Sequence, residues 1–163
     1  MSADRHGYAD DYARLLDRWY APTVVEVGVF QGVSLAIWCD VFPKGRVIGL
    51  DLDLQRFRDH RPTLDAAGAF ARSEPVTVGM WDAYQPDVPS LTAALGGRTI
   101  DVLIDDGPHT DEAVRRVAEA VRPLLSPTFT YIVEDMPNGS DLLLEAYPQG
   151  KAGQAGLLGW LET

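Results

Sequence analysis

Residues 23–34 constrain the fold of this chain more than any other segment. They open with the mostly apolar run TVVEV and continue with glycines at positions 28 and 32. This pattern predicts a buried strand, a glycine-bearing turn and the start of a helix. Residues 46–51 predict a second strand, which ends in Asp51. Open α/β sheets bind nucleosides with such a pair of strands, because glycine lets the backbone approach the ligand and the acid accepts from the ribose hydroxyls.

Apolar strands alternate with helical segments over most of the chain. Three further strands are predicted at residues 75–80, 99–104 and 129–133. Continuously apolar strands that alternate with helices are typical of a parallel sheet covered on both faces. We therefore expect an α/β fold with a Rossmann-like, doubly wound, mostly parallel sheet in the order 3-2-1-4-5. The single domain, residues 1–163, would consist of a lead-in helix (1–21), a cofactor-binding core (22–135) and a shortened C-terminal segment (136–163).

Two helical segments have distinctive residues. Residues 54–69 predict a helix that Pro62 interrupts. After the fourth strand, Thr110 can cap a helix whose apolar side chains lie on one face. His6 and Tyr8, which precede the first helix, are interpreted as incidental rather than as a lid over a site.

Composition argues against several classes of function. The net charge of −10 argues against nucleic acid as the main partner, because phosphate binding needs a basic surface. No apolar run approaches the roughly 18–20 residues of a membrane span, and the N-terminus lacks the apolar core of a signal peptide. Cys39, the one cysteine, has no partner for an internal disulfide. We expect a cytoplasmic protein with no nucleic-acid or membrane partner.

Carboxylates gather where the predicted strands end. Because the carboxyl ends of parallel strands meet at one edge of the sheet, these acids would repel one another in a partly desolvated site. A divalent cation would relieve that repulsion, and ligands that are all oxygen favour Mg²⁺ over zinc. The acids are Asp51, Asp82, Asp105, Asp106, Glu134 and Asp135.

Several residue types suggest specific roles, each with a simpler alternative. A carboxylate inside an apolar strand, Glu26, would suit a ligand's ammonium group. Asp106 can bind metal while His109 acts as a base, although both could merely shape a loop. Trp81 could stack on an adenine or pack in the core. The glycines could serve only the turn, and the acids after the fifth strand could be a solvated strand end.

These segments together resemble class I S-adenosylmethionine-dependent methyltransferases. The closer resemblance is to the metal-dependent group that includes macrolide sugar O-methyltransferases and cephalosporin hydroxylase-like proteins. It extends from about residue 6 to residue 135. The residues that carry it are 26–38, 42–43, 47–51, 101–109 and 133–135.

The resemblance implies an O-methyltransferase that uses S-adenosyl-L-methionine and Mg²⁺ on the hydroxyl of a sugar or other small natural-product acceptor. It implies that His109 is the catalytic base. It assigns metal ligation to Asp106, Glu134 and Asp135. The residues grouped as cofactor-binding are Glu26, Gly28, Gly32, Ser34, Asp51, Trp81, Asp82 and Asp105.

The chain departs from the family pattern at three places, and the last of them leaves another function open. Pro108 stands where the family has a serine, and residues 126–128 replace the Gly-Gly turn usual before strand five. The 28 residues after Asp135 leave little room for an antiparallel hairpin of strands six and seven. The C-terminal end is therefore expected to be shortened, swapped between subunits or loosely ordered, and a homo-oligomer is possible. A non-catalytic nucleoside-binding module is the main alternative. A nicotinamide-dependent oxidoreductase is disfavoured by the spacing of the glycines.

Overall fold

The structure, a computed structural model, describes residues 8–71, 76–155 and 158–163. Seven strands form one sheet in the order β3-β2-β1-β4-β5-β7-β6, with the first five strands parallel and β7 antiparallel to both its neighbours. The predicted order 3-2-1-4-5 is confirmed and extended by two strands. The start predicted for the third strand, residue 75, lies outside the described residues. The strands are β1 (Thr23–Val27), β2 (Arg46–Asp51), β3 (Thr77–Met80), β4 (Ile100–Asp105), β5 (Leu125–Val133), β6 (Lys151–Ala155) and β7 (Leu158–Glu162).

Helices cover both faces of the sheet, as the continuously apolar strands predict. Side chains alternate along each strand, so that Val24, Val102 and Ile132 pack on one face and their neighbours in sequence on the other. Residues of α1, α2 and α3 pack on the first face, and residues of α4, α5 and α6 on the second. None of the helices in the described ranges has both the length and the apolar character that crossing a bilayer requires. The helices are α1 (Ala9–Leu16), α2 (Val33–Val41), α3 (Gln55–Ala66), α4 (Val88–Leu95), α5 (Asp111–Val121) and α6 (Gly139–Ala146).

Two helices test the local predictions. α5 begins as predicted: Thr110 Oγ1 accepts from the Ala113 amide at 3.3 Å, and acidic residues occupy the first turn. The prediction that Pro62 interrupts α3 is wrong, because the helix continues through this residue to Ala66. Proline removes one backbone donor, and the remaining bonds of the helix suffice to carry it past that position.

The C-terminal hairpin fits into the short segment after Asp135. Strand β7 pairs with β5 of the same chain, with Tyr131 opposite Leu161 and Val133 opposite Gly159. The C-terminal end is thus short, as expected, and it still forms both strands of the antiparallel hairpin. Each of the two strands has five residues. Gly159 lets the backbone of β7 approach α6 closely, so the short hairpin packs against the helix before it. A Cβ at Gly159 would lie 2.5 Å from the Ser140 amide nitrogen.

Candidate active site

A cleft of about 320 Å³ lies at the carboxyl ends of β1 to β4. This edge includes the switch point between β1 and β4: the chain adds β2 and β3 on one side of β1, then crosses to β4 on the other side. Open α/β sheets bind their ligands at such a point. The cleft thus brings together residues that the sequence predicted to share a site. Its lining includes Gly28, Phe30, Asp51, Trp81, Asp82 and Asp106.

Both glycines of the first motif are required by the backbone. Gly28 has a φ of 97°, and a Cβ there would lie 2.0 Å from the carbonyl oxygen of Asp106. Gly32, with a φ of 79°, begins α2, and a Cβ there would meet the Phe57 ring. Gly28 therefore lets the turns after β1 and β4 lie against each other. Contact of either glycine with a cofactor stays a prediction.

Asp51 holds the glycine turn at the end of β2. Its Oδ2 accepts from the amides of Val29 at 2.8 Å and Phe30 at 2.9 Å, and its Oδ1 accepts from the Asp53 amide at 3.0 Å. These bonds shape the wall of the cleft. Because a carboxylate oxygen can accept more than one hydrogen bond, they leave room for ribose hydroxyls, the role that the sequence predicted.

Glu26 is the most deeply buried acid of the predicted site. Its side chain is 1% exposed, its Oε1 accepts from Trp38 Nε1 at 3.0 Å, and its Oε2 has no hydrogen-bond partner among the described residues. Burial raises the pKa of this carboxyl to about 8, while the hydrogen bond from Trp38 acts to lower it. An unpaired, buried carboxylate oxygen suits a cationic ligand.

The predicted adenine-side residues lie on the wall of the cleft after β3. Trp81 is nearly buried and donates from Nε1 to the Asp87 carbonyl at 3.1 Å, so it packs in the core and also borders the cleft. Asp82 accepts from the Tyr84 amide at 2.8 Å through Oδ1. The two alternatives for Trp81, core packing and a cleft-facing surface, are therefore compatible.

Asp105 points into the core instead of the cleft. It is 2% exposed, and its Oδ2 accepts from the Tyr131 hydroxyl at 3.1 Å. Burial raises its pKa to about 6, against the lowering effect of hydrogen bonds from Tyr131 and the Gly107 amide. Asp105 thus anchors the loop that presents Asp106, and its contact with a cofactor stays a prediction.

Tyr131 is a residue that sequence reasoning missed. Leu103 pairs with Tyr131 and Asp105 with Val133 in the β4–β5 register. Asp105 is two residues beyond Leu103, so the side chains of Asp105 and Tyr131 lie on the same face of the sheet. The alternation of side chains along paired strands was the sequence signal that could have brought them together.

Three residues form a group that could hold a metal ion. Ligand atoms of Asp106, His109 and Asp135 all lie within 4.8 Å of one another, and His109 Nε2 lies 2.9 Å from Asp106 Oδ1. His109 and Asp135 have φ values of 53° and 52°, a left-handed backbone that costs energy outside glycine and often marks functional sites. Two carboxylates and an imidazole fit a hard or intermediate divalent cation.

Glu134, the third predicted metal ligand, lies outside this group. Its Oε1 accepts a hydrogen bond from the Tyr12 hydroxyl, and it borders a groove of about 720 Å³ that α1 and α2 also line. Its ligation of a metal stays a prediction.

Helix α1 contributes to the site, which the sequence did not predict. Tyr8 donates to Asp135 Oδ1 at 3.0 Å, so the interpretation of Tyr8 as incidental is wrong. His6 lies outside the described residues.

Comparison with known families identifies the domain. A family model described as a methyltransferase domain matches residues 25–136. The chain belongs to this methyltransferase family. The match begins in β1 and ends just after Asp135, so it includes the cleft and the metal-capable group of the methyltransferase domain. The resemblance predicted from the motifs is confirmed.

Relatives of known function match most of this methyltransferase domain. It is 33% identical over 137 residues to 8-demethyl-8-alpha-L-rhamnosyl tetracenomycin-C 2'-O-methyltransferase of Streptomyces olivaceus, covering 79% of this chain and 32% of that protein. It is 28% identical to demethylmacrocin O-methyltransferase of Streptomyces fradiae, covering 82% of this chain and 30% of that protein. The chain spans about a third of the length of these curated relatives.

Solved structures share the fold. The MycE methyltransferase of the mycinamycin biosynthetic pathway, in complex with Mg and SAH, superposes with a TM-score of 0.74 at 21% identity. The alignment covers 99% of this chain and 50% of that one. At this identity the likeness establishes the fold of the methyltransferase domain.

Proposed function

We propose that this domain transfers a methyl group from S-adenosyl-L-methionine to a hydroxyl group of a sugar or other small natural-product acceptor, assisted by Mg²⁺. The observation that carries the proposal is a cleft lined by the glycine turn, Asp51 and Asp106, in which Asp106 also belongs to a metal-capable group. The names of the relatives, which include a rhamnosyl 2'-O-methyltransferase, support a sugar hydroxyl as acceptor. The MycE complexes with Mg and SAH support both the methyl donor and the metal.

Residues that line the cleft, together with the buried Glu26, suit the parts of the donor. Asp51 would accept from the ribose hydroxyls, with Trp81 and Asp82 at the adenine. Glu26 would face the ammonium group of the methionine end, where its buried Oε2 would gain a charged partner.

The metal-capable group that adjoins the cleft suits the acceptor. Asp106 and Asp135, with Glu134 as the predicted third carboxylate, would hold the metal. When bound, Mg²⁺ would lower the pKa of an acceptor hydroxyl. Asp106 orients the imidazole of His109 through Nε2, which leaves Nδ1 to take the proton from the acceptor oxygen. The chain's remaining contribution is to position donor and acceptor in line.

Calorimetric titration with S-adenosylhomocysteine, with and without Mg²⁺, tests the proposal. We expect binding by the wild type, a changed heat or affinity with metal, and weakened binding by Asp51→Ala. Loss of the metal effect in Asp106→Ala would support the metal site. Absence of binding under both conditions would contradict the proposal.

Composition supports the proposed partners and location. The net charge of −10 supports a small-molecule acceptor in preference to nucleic acid, and the single cysteine supports a cytoplasmic location. A homo-oligomer stays a prediction, which light scattering would test.

A further inference from the structure

Helix α1 and the residue that caps its N-terminus, Tyr8, bring two tyrosines to the two adjacent acids that follow β5. The Tyr8 hydroxyl donates to Asp135 Oδ1 at 3.0 Å, and the Tyr12 hydroxyl donates to Glu134 Oε1. The tyrosines are four residues apart, which places them on the same face of a helical turn. Each predicted metal carboxylate of this pair therefore has its own phenolic donor.

The position of α1 does not depend on these two bonds. Beyond its C-terminal end, Arg18 donates to the Phe129 carbonyl at 2.8 Å and to Thr130 Oγ1 at 2.9 Å. Leu15 and Leu16 are buried in the core. The Tyr12 ring also packs on Trp38, with 5.0 Å between the ring centroids. The hydroxyls are thus delivered by an element that is fixed to β5 and α2.

Both tyrosines are placed to act as donors. Each phenolic hydroxyl donates to one of the two carboxylates. Hydrogen bonds of this kind hold metal-ligating carboxylates in orientation.

We propose that Tyr8 and Tyr12 are positioning residues, which orient the Asp135 and Glu134 carboxylates for a divalent metal ion. The inference rests on the metal site of the proposed function and extends that site to α1. It gives the lead-in helix a part in metal affinity, in addition to packing.

Binding of Mn²⁺ to the purified protein tests this inference without any acceptor. The free ion would be followed by electron paramagnetic resonance for the wild type, Tyr8→Phe, Tyr12→Phe and the double variant. We expect each single change to weaken Mn²⁺ binding about tenfold and the double change by up to about 100-fold. Phenylalanine keeps the ring that packs on Trp38, so thermal stability should change little.

Tyr20→Phe is the matched control, because Tyr20 follows α1 but is 73% exposed and contacts Lys44 instead of the site. It should bind Mn²⁺ like the wild type. Affinity for S-adenosylhomocysteine without metal should stay within about twofold in all variants.

Three results would overturn the inference. The first is wild-type Mn²⁺ affinity in the double variant. The second is a loss of S-adenosylhomocysteine affinity without metal, with Mn²⁺ affinity intact, which would assign the tyrosines to the cofactor. The third is a wild type that binds S-adenosylhomocysteine but no Mn²⁺, which would remove the metal from the proposed function as well.

Discussion

At the scale of single residues, the Glu26 carboxyl couples the site to folding. Its ordinary pKa is 4.5, and burial raises it to about 8 in the folded protein. Between these values the folded state holds a proton that the unfolded state has released. The stabilisation that Glu26 contributes is therefore complete below pH 4.5 and is lost as the pH rises towards 8.

Replacing Glu26 by glutamine should remove this dependence. We expect the free energy of unfolding of Glu26→Gln to fall less steeply between pH 5 and pH 8 than that of the wild type, by roughly 1 kcal/mol per pH unit. Urea denaturation at several pH values measures the slope. Glu119→Gln, on the exposed face of α5, should keep the wild-type slope. Parallel slopes for Glu26→Gln and the wild type would contradict the raised pKa.

His109 is the residue whose loss should affect the reaction most selectively. Its backbone is left-handed, a conformation that asparagine adopts more readily than most residues, so His109→Asn removes the base with little strain. We expect turnover to fall by about 10²–10⁴-fold, while the affinity for S-adenosylhomocysteine stays near that of the wild type. Methyl transfer to an accepted sugar, together with calorimetry, separates the two effects. Full turnover in this variant would exclude His109 as the base.

At the scale of elements, the cap of α5 links helix stability to the metal-capable loop. Thr110 follows His109 directly, accepts from the Ala113 amide and lies 3.0 Å from the Tyr84 hydroxyl. The start of the helix thus sets where the loop ends. Loss of the cap should loosen both the first turn of α5 and the loop that ends at Thr110.

Removing the Thr110 hydroxyl should cost stability in a measurable way. We expect Thr110→Ala to lower the free energy of unfolding by about 1 kcal/mol, because the first turn of α5 loses its side-chain acceptor. Urea denaturation provides the measurement. Thr110→Ser keeps the hydroxyl and should retain most of the stability. An alanine variant as stable as the serine variant would show that this cap contributes nothing.

At the scale of the whole molecule, the placement of the C-terminal hairpin at the sheet depends on the contact between β7 and α6. Gly159 is buried in β7, and its backbone lies against that of Gly139 and Ser140. An added side chain at Gly159 would meet backbone atoms, which cannot move aside as the end of a flexible side chain can. Such a side chain would therefore displace the C-terminal strands as a unit.

Adding one methyl group at this contact should destabilise the domain. We expect Gly159→Ala to lower the free energy of unfolding by about 1–3 kcal/mol through overpacking. Thermal and urea denaturation would both report it. Gly79→Ala is the matched control, since a Cβ there would lie 3.8 Å from a Leu50 methyl carbon, an ordinary contact. Equal stability of the two variants would contradict the close approach.

The sequence by itself determined the order of the parallel strands and most of the cleft. Gly28 and Asp51 could be placed together because turn chemistry is local and the carboxyl ends of parallel strands always meet at one edge. Asp106 and His109 are three residues apart, so one loop suffices to bring them together. The cap at Thr110 was predictable for the same reason.

Tertiary structure alone decided the contacts that complete the site. Tyr8 and Asp135 are 127 residues apart, and Tyr12 and Glu134 are 122 apart. Their meeting depends on how α1 packs against β5, for which no local pattern exists. Packing between elements also decided that the C-terminal hairpin extends the sheet, that α3 continues past Pro62, and that Asp105 points to Tyr131. Periodicity and turn chemistry report how a segment folds locally, whereas these contacts depend on the distances between elements after they pack.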